Sequence, residues 1–254
     1  MKVLILNASP KSRGSASKFY SSLLRLSLLR CEVKTCPLRG ARDAEQALSL
    51  LSWAEAVVIS APLYVDAAPA HIIAFLEQAE KLCEERELTF HLYALSNCGF
   101  IEGHQNELHL HIYEAWCRRS GITWGGGLGI GGGVILRWMC MLTPLFTAVN
   151  TVQLVLLAQS VKLTVVTVLR CYSSTIVTIV MCVHALVCLS RMGSCVRQGS
   201  CRGNLYTRCL LPSFLFIPIS DIFMASSALL HGHFPHALLR KPEVKYNDEK
   251  ERPL

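Results

Sequence analysis

The sequence predicts an α/β fold: a doubly wound parallel sheet of five strands, followed by an all-α region of apolar helices. Two observations carry this prediction, one for the sheet and one for the boundary between the two regions. Short apolar runs alternate with amphipathic stretches over residues 1–133, and each run leads directly into a polar or glycine-rich loop. Charge distinguishes the C-terminal region from the N-terminal one, because residues 134–254 carry 12 basic and 5 acidic residues whereas residues 1–133 carry 13 of each. The chain of 254 residues therefore joins two compositions near the glycine cluster at 125–133.

Five strands and four helices alternate over residues 1–133. The strands are short and aliphatic, at residues 2–6, 32–36, 56–60, 89–96 and 123–130. The helices repeat apolar residues at intervals of three and four, at residues 16–29, 44–51, 69–84 and 106–119. Apolar strands with helices between them favour a parallel sheet with right-handed crossovers and the strand order 2-1-3-4-5. Ligands of such sheets bind beyond the carboxyl ends of the strands.

The loop after the first strand, residues 7–17, is rich in hydroxyl groups and contains Lys11 and Arg13. A loop of this kind that leads into a helix N-terminus supplies backbone N–H and hydroxyl donors to a phosphate. It matches neither GxxxxGK[ST] nor GxGxxG. The alternative is that its serines are only helix caps.

Two further loops follow the third and fourth strands. The first, residues 60–69, holds Tyr64 between Pro62 and Pro69, where an aromatic ring can stack on a flat heterocycle or simply cover the core. The second, residues 96–104, contains Gly99, which permits close backbone approach to a ring edge. Its His104 is interpreted as a solvated loop histidine.

Over residues 1–133 the chain resembles the NAD(P)H-dependent FMN reductases of the flavodoxin-like superfamily. The resemblance is carried by Asn7-Ala8-Ser9-Pro10-Lys11…Gly14-Ser15, by Ala61-Pro62-Leu63-Tyr64…Pro69-Ala70, and by the loop after the fourth strand. It implies a flavodoxin-like fold, bound FMN, NAD(P)H as co-substrate and a small-molecule electron acceptor. It also implies pairing of two subunits, and whether the apolar region permits that pairing is left open.

The same resemblance implies the binding residues. The FMN phosphate would be held by Ser9, Lys11, Ser15, Ala16 and Ser17. One side of the flavin ring would be lined by Pro62, Leu63, Tyr64 and Val65, and the other by Asn97, Cys98 and Gly99. The family often has asparagine-threonine in place of Ser15-Ala16, so that Ala16 offers only a backbone N–H. We predict no catalytic side chain, because the chemistry belongs to the flavin.

Residues 134–236 form an apolar helical region. Residues 138–161 and 171–190 contain no charged side chain, and each run is long enough to cross about 30 Å of hydrocarbon as a helix. A tight turn at 159–162 joins them as a predicted transmembrane hairpin, and a basic loop at 191–208 follows. Arginines in that loop place the flavin domain in the cytoplasm by the positive-inside rule. The alternatives are a soluble helical domain and a buried dimerisation hairpin.

The sequence after residue 208 predicts less about structure. A third apolar segment, residues 209–231, contains Pro212, Pro218 and Asp221, and whether it spans a membrane is left open. The charged tail, residues 237–254, is predicted to be solvated. His231, His233 and His236 have no standard metal-ligand spacing, and the twelve cysteines include no CxxC pair, so no metal site is predicted.

Two functions from different classes fit these observations. The first is a membrane-anchored FMN-dependent oxidoreductase that takes hydride from NAD(P)H. The second is a non-enzymatic module, either a flavodoxin-like electron carrier or a degenerate adaptor domain on a membrane hairpin. The basic segment has no aromatic interleaving or nucleic-acid motif, which favours contact with anionic lipid headgroups and excludes a nucleic-acid partner.

Overall fold

The computed structural model describes residues 1–12, 14–159, 164–230, 232 and 234. The strands are β1 Lys2–Asn7, β2 Glu32–Pro37, β3 Ala56–Pro62, β4 His91–Asn97, β5 Thr123–Ile130 and β6 Leu205–Thr207. The helices are α1 Ala16–Leu26, α2 Ala41–Leu51, α3 Ala70–Arg86, α4 Glu107–Ser120, α5 Gly133–Ala158, α6 Val165–Cys171, α7 Ser173–Gln198 and α8 Ser213–Leu230. A 3-10 helix, Gly103–Asn106, precedes α4. The chain divides into two compact units, Met1–Leu210 and Leu211–Leu254.

The sheet of the first unit is parallel throughout and has the order β2-β1-β3-β4-β5-β6. The predicted parallel α/β architecture is confirmed. The predicted number of strands is wrong by one, since β6 pairs with β5 from Leu128 opposite Leu205 to Ile130 opposite Thr207. The central strands are buried on both faces, as their uninterrupted apolar runs require, whereas β2 at one edge is largely exposed.

One face of the sheet is covered by α2, α3 and α4. Phe75, Ile72 and Tyr113 are almost completely buried in this layer, and Nε1 of Trp116 donates to the carbonyl of Leu76 at 2.8 Å.

The other face is covered by α1 and by the second half of α7. The hydroxyl of Tyr93 in β4 lies 3.1 Å from the carbonyl oxygen of Cys195 and 3.0 Å from that of Ser200. Gly193 lies directly against Ser27, where a Cβ would collide with the serine side chain. The end of α7 is therefore part of the layer that buries the sheet.

This packing bears on two segments of the predicted apolar region. Part of the predicted second span, residues 171–190, is buried in the sheet layer, because the face over β5 needs an apolar cover and α7 supplies it. The predicted basic loop, residues 191–208, is not a loop throughout. Arg191 and Arg197 lie on α7, which ends at Gln198, and β6 occupies residues 205–207.

The helices α5 and α7 form an antiparallel pair. Sγ of Cys182 lies 3.7 Å from the carbonyl oxygen of Leu136, and Nδ2 of Asn150 donates to Oγ of Ser174 at 2.9 Å and to Oγ1 of Thr175 at 2.8 Å. Polar bonds of this kind join helices in apolar surroundings. The predicted hairpin is thus observed as a helix pair, although residues 160–163 of its turn lie outside the described residues.

Three described helices are long and apolar enough to cross a membrane: α5, α7 and α8. Burial distinguishes the three helices. In the apolar 18-residue stretch of each, 39% of α7 is buried, compared with 6% of α5 and 6% of α8. The helix α8 belongs to the second unit and contains Pro218 and Asp221. Of the predicted histidine trio and tail, His231, His233, His236 and residues 237–254 lie outside the described residues.

Candidate functional site

The loop between β1 and α1 begins with a buried serine and ends as a helix cap. Ser9 is 2% exposed and its N–H donates to Oδ1 of Asn7 at 3.3 Å. Within the described residues, the Ser9 hydroxyl has no hydrogen-bond partner. Ser15 is the N-cap of α1, because its Oγ accepts from the N–H of Lys18 at 3.2 Å. The capping alternative therefore holds for Ser15 but does not account for Ser9. Lys11 is exposed.

The first turn of α1 provides backbone donors beside this loop. The first intrahelical bond runs from the N–H of Phe19 to the carbonyl of Ser15 at 3.2 Å, so the N–H groups of Ala16 and Ser17 lack an intrahelical acceptor. The positive end of the helix dipole lies at the same place. Since residues 7–17 include no acidic side chain, an anion is stabilised at this helix end.

The loop after β3 is a tight turn whose tip is solvent-exposed. Tyr64 and Ala67 exchange two backbone hydrogen bonds of 3.3 and 3.0 Å, which close a two-residue turn around Val65 and Asp66. Both central residues have positive φ, 47° at Val65 and 57° at Asp66. This backbone is strained at a β-branched residue, and Val65 is 98% exposed. The four residues predicted to flank the flavin lie at the end of β3 and in this turn: Pro62, Leu63, Tyr64 and Val65.

The loop after β4 turns its cysteine inward. Sγ of Cys98 lies 3.6 Å from the carbonyl oxygen of Ile130 and accepts from Nδ2 of Asn106 at 3.3 Å, and burial raises the pKa of the thiol. The backbone N–H of Cys98 donates to the carbonyl of Ile130 at 3.0 Å and its carbonyl accepts from the N–H of Gly133 at 2.8 Å, so Cys98 has no free N–H donor for a ligand. Gly99 is exposed with open space around its Cα, and Phe100 is 56% exposed.

Hydrogen bonds join the three loops at one edge of the sheet. The N–H of Ala8 donates to the carbonyl of Ser60 at 2.8 Å, and Oγ of Ser60 donates to the carbonyl of Ser17 at 3.0 Å. Oγ of Ser17 in turn donates to Oδ1 of Asn97 at 2.8 Å, while the carbonyl of Asn97 accepts from the N–H of Leu63 at 2.9 Å. The predicted site residues are therefore brought together from three strands.

A buried polar network lies beneath the loop after β4. Oγ of Ser96 lies 2.7 Å from Oδ1 of Asn106 and 2.8 Å from Nδ1 of His109. Nε2 of His109 lies 2.8 Å from the hydroxyl of Tyr113. The amide nitrogen of Asn106 donates to the carbonyl of Gly103 at 2.8 Å. Ser96, Asn106, His109 and Tyr113 are each no more than 1% exposed.

The donors in this network can be assigned in order. Because the amide nitrogen of Asn106 faces acceptors, its Oδ1 accepts the single proton of Ser96. Oγ of Ser96 then accepts from Nδ1–H of His109, and Nε2 accepts from Tyr113. Burial lowers the pKa of His109 to about 4 and raises the pKa of Tyr113. The histidine is therefore a neutral structural group that fixes the position of the third loop.

One charged residue at this edge was missed by sequence reasoning. Arg137, in the second turn of α5, donates through Nη1 to the carbonyl of Gly14. The start of α5 is held there by Tyr20, whose hydroxyl donates to the carbonyl of Gly133 at 2.6 Å. Arg137 is the single charged residue among residues 120–161, which was its only sequence signal. Its contact with a loop more than 120 positions away follows from the fold alone.

The arrangement fits the phosphate of a mononucleotide better than a metal ion. Ser9 offers an unpartnered hydroxyl, α1 offers two N–H groups, and Gly14 adopts φ of 66°, a conformation that side-chain-bearing residues rarely adopt. The exposed aromatic residues Tyr64 and Phe100 follow the two strands at whose ends a flavin ring would lie. Across the described ranges, no group of three or more His, Cys, Asp or Glu side chains could hold a metal ion.

Comparison with solved structures finds chains similar to about half of this one. An NADPH-quinone reductase from P. pentosaceus is 20% identical, with a TM-score of 0.44 over 52% of this chain and 86% of that chain. An azoreductase from Bacillus anthracis str. Sterne is 14% identical, with a TM-score of 0.40 over 54% and 89%. Rubredoxin oxygen:oxidoreductase from Desulfovibrio gigas is 18% identical, with a TM-score of 0.40 over 49% of this chain. The present chain spans 28% of the length of that last protein.

No protein-family model matches the sequence, and no curated protein matches it. The description of the first unit as a doubly wound parallel α/β domain therefore rests on its own strand order and pairing. The class of site is defined in the same way, by three loops that meet at the carboxyl edge of that sheet.

Proposed function

We propose that this protein is a membrane-anchored FMN-dependent oxidoreductase that transfers reducing equivalents from NAD(P)H to a small-molecule acceptor. The observation that carries the proposal is the joining of the three loops by Ser17, Ser60 and Asn97 at the carboxyl edge. Doubly wound sheets bind their ligands there, because the helix N-termini and the loops converge at that edge. The anion-binding end of α1 supports a phosphate-bearing cofactor, and the exposed Tyr64 supports a flat ring beside it.

In this proposal the chain binds and orients the cofactor. The backbone of Ala16 and Ser17 and the hydroxyl of Ser9 would hold the phosphate, while the turn at Tyr64 and Val65 would limit access of water to the ring. The chemistry that FMN supplies when bound is two-electron transfer, with NAD(P)H as the hydride source and the acceptor as the oxidant. The network around His109 keeps the loop after β4 in place.

The proposed membrane anchor leaves the sheet at the same edge as the site. The helix α5 begins at Gly133, three residues after β5, and its 26 residues measure about 39 Å at about 1.5 Å per residue. Its apolar side chains are largely exposed from Met141 to Leu156. A length of about 39 Å exceeds the roughly 30 Å of a bilayer core, so α5 is long enough to span it. In this arrangement the cofactor edge lies close to the membrane surface.

The return arm of the anchor is shorter. The strands β5 and β6 are neighbours in one sheet, so the segment between them must return to the side of the membrane on which the sheet lies. The part of this arm before the sheet layer, residues 165–180, consists of α6 and the start of α7 and spans at most about 24 Å at about 1.5 Å per residue, so local thinning of the bilayer would accommodate it. Arg191 and Arg197 then lie on the sheet side, which supports a cytoplasmic flavin domain.

An absorbance spectrum of the full-length protein purified in detergent tests the proposal. We expect bound flavin, seen as a yellow protein, and bleaching within seconds when NADPH or NADH is added. A yellow protein that neither nucleotide reduces would support the electron-carrier alternative. A colourless protein that does not bind added FMN would exclude both flavin functions and leave the adaptor.

A further inference from the structure

Arg137 is placed against the loop that precedes α1, although it belongs to a different part of the chain. Its Nη1 donates to the carbonyl of Gly14, and a Cβ built on Gly14 would lie 3.7 Å from Nη2. The guanidinium therefore lies beside Gly14, next to Ser15, the N-cap of α1. It is half-buried, and its side chain also lies beside the ring of Trp138 at 5.5 Å.

The surroundings of this guanidinium have the features of an anion site. Residues 7–17 contain no acidic side chain, and no ion pair with Arg137 is found in the described parts of the chain. Ser9 is 2% exposed as a residue, and its hydroxyl has no hydrogen-bond partner among the described residues while keeping some contact with solvent. The unpartnered hydroxyl of Ser9 and the first turn of α1 lie at the two ends of one loop, and both offer donors to an anion.

We propose that Arg137 binds the phosphate of the cofactor, so that the apolar segment supplies a residue of the binding site. The inference rests on the proposed function, because FMN is the ligand. An arginine guanidinium suits this task, since its planar fork can donate two hydrogen bonds to a phosphate while another N–H keeps the bond to Gly14. The start of α5 is then both an anchor and a part of the cofactor site.

A purely structural role makes a different prediction. If Arg137 only holds the loop through the carbonyl of Gly14, its loss should weaken FMN through the phosphate-binding loop, by a factor that does not depend on the NaCl concentration. If it binds phosphate, its loss should weaken FMN but not riboflavin, which has the same ring and sugar chain without the phosphate. The difference between the two ligands isolates the phosphate end of the site, and the dependence of the FMN loss on NaCl isolates the charge of Arg137.

The test is a titration of full-length protein, in detergent and freed of flavin, with FMN and with riboflavin, followed by quenching of flavin fluorescence. We expect Arg137→Gln to weaken FMN at least tenfold and to change riboflavin less than twofold. Arg137→Lys, which keeps the charge but not the fork, should retain part of the FMN affinity. Arg25→Gln removes the same charge from the exposed last turn of α1 and should change neither ligand.

Salt dependence provides a second readout that needs no riboflavin signal. Raising the NaCl concentration should weaken FMN binding to the wild type and to Arg137→Lys, which both keep the charge, more than to Arg137→Gln. An equal dependence on NaCl in the wild type and Arg137→Gln would leave Arg137 as a residue that only positions the loop. Equal losses for FMN and riboflavin, or an unchanged FMN affinity in both variants, would overturn the inference and leave the proposed function standing. A wild type that binds neither flavin would overturn both.

Discussion

Ser17 and Asn97, which are 80 positions apart in the sequence, are joined by a hydrogen bond of 2.8 Å from Oγ to Oδ1. Ser17 lies in the first turn of α1 and Asn97 ends β4, and they are 1% and 5% exposed. The backbone carbonyl of Asn97 also accepts from Leu63 at 2.9 Å. Asn97 therefore connects the first loop to the third through its side chain and the second loop to the third through its backbone.

Removal of the Ser17 hydroxyl should destabilise the protein and loosen the cofactor edge. Ser17→Ala leaves Oδ1 of Asn97 buried without its donor, which costs about 1 to 2 kcal/mol. We expect the free energy of unfolding in urea to fall by that amount, and the FMN affinity to fall with it. Ser22→Ala is the matched control, because its exposed hydroxyl bonds only the Lys18 carbonyl and should change stability by less than about 0.5 kcal/mol. Equal effects of the two substitutions would contradict the role of Asn97.

The sequence predicted the first half of the fold because its signals there are local. Each central strand is an apolar run buried on both faces, and each helix repeats apolar residues at helical spacing. The third residue of β6, Thr207, is buried, but the strand has only three residues and lies in a basic, cysteine-rich stretch. Its pairing with β5 joins segments more than 70 positions apart, for which no local pattern exists.

The second half was harder because hydropathy does not say what covers an apolar helix. Lipid and a sheet face select the same residues, and α7 meets a sheet face at Leu189 and Val196. The site shows the same limit. The loops could be found from their hydroxyl, proline and glycine residues, whereas Arg137 was passed over because its loop contact depends on where α5 begins.

Acid should destabilise the protein through His109. Burial lowers its pKa from 6.5 to about 4 in the folded state, so below pH 6.5 the unfolded chain binds more protons than the folded one. Stability is therefore present above pH 6.5 and is lost as the pH falls toward 4. We expect this residue alone to reduce the free energy of unfolding by about 2 kcal/mol between pH 7 and pH 5. Urea unfolding at a series of pH values measures it.

Two variants separate this residue from the other histidines. His109→Gln should remove most of the loss between pH 7 and pH 5, although it lowers stability at pH 7 by disturbing the bonds to Ser96 and Tyr113. His111→Gln, on the exposed face of α4, should leave the pH profile unchanged. A wild-type profile that stays flat down to pH 5 would show that His109 is not held neutral by burial.

Relief of backbone strain at Val65 should stabilise the protein. Its φ of 47° is unfavourable for a β-branched residue but is readily adopted by asparagine. We expect Val65→Asn to raise the free energy of unfolding by about 1 kcal/mol. Val65→Thr keeps the β-branched shape while adding polarity, and it should give no gain. If threonine stabilises as much as asparagine, the gain comes from polarity at a position that is 98% exposed, and not from strain.

Charged residues on the exposed side of α5 should release the protein from membranes. Val152 and Leu156 are 60% and 62% exposed, so replacing both with lysine leaves the packing of the first unit intact but costs roughly 2.5 to 3.5 kcal/mol per residue at the centre of a spanning helix. The wild type should stay in the pellet after carbonate extraction, and the double variant should move to the supernatant. Leu26→Lys with Leu29→Lys makes the same change at residues 63% and 82% exposed outside α5, and it should remain in the pellet. Retention of the α5 variant would show that α5 does not enter the bilayer core and that α8 or another segment holds the protein there.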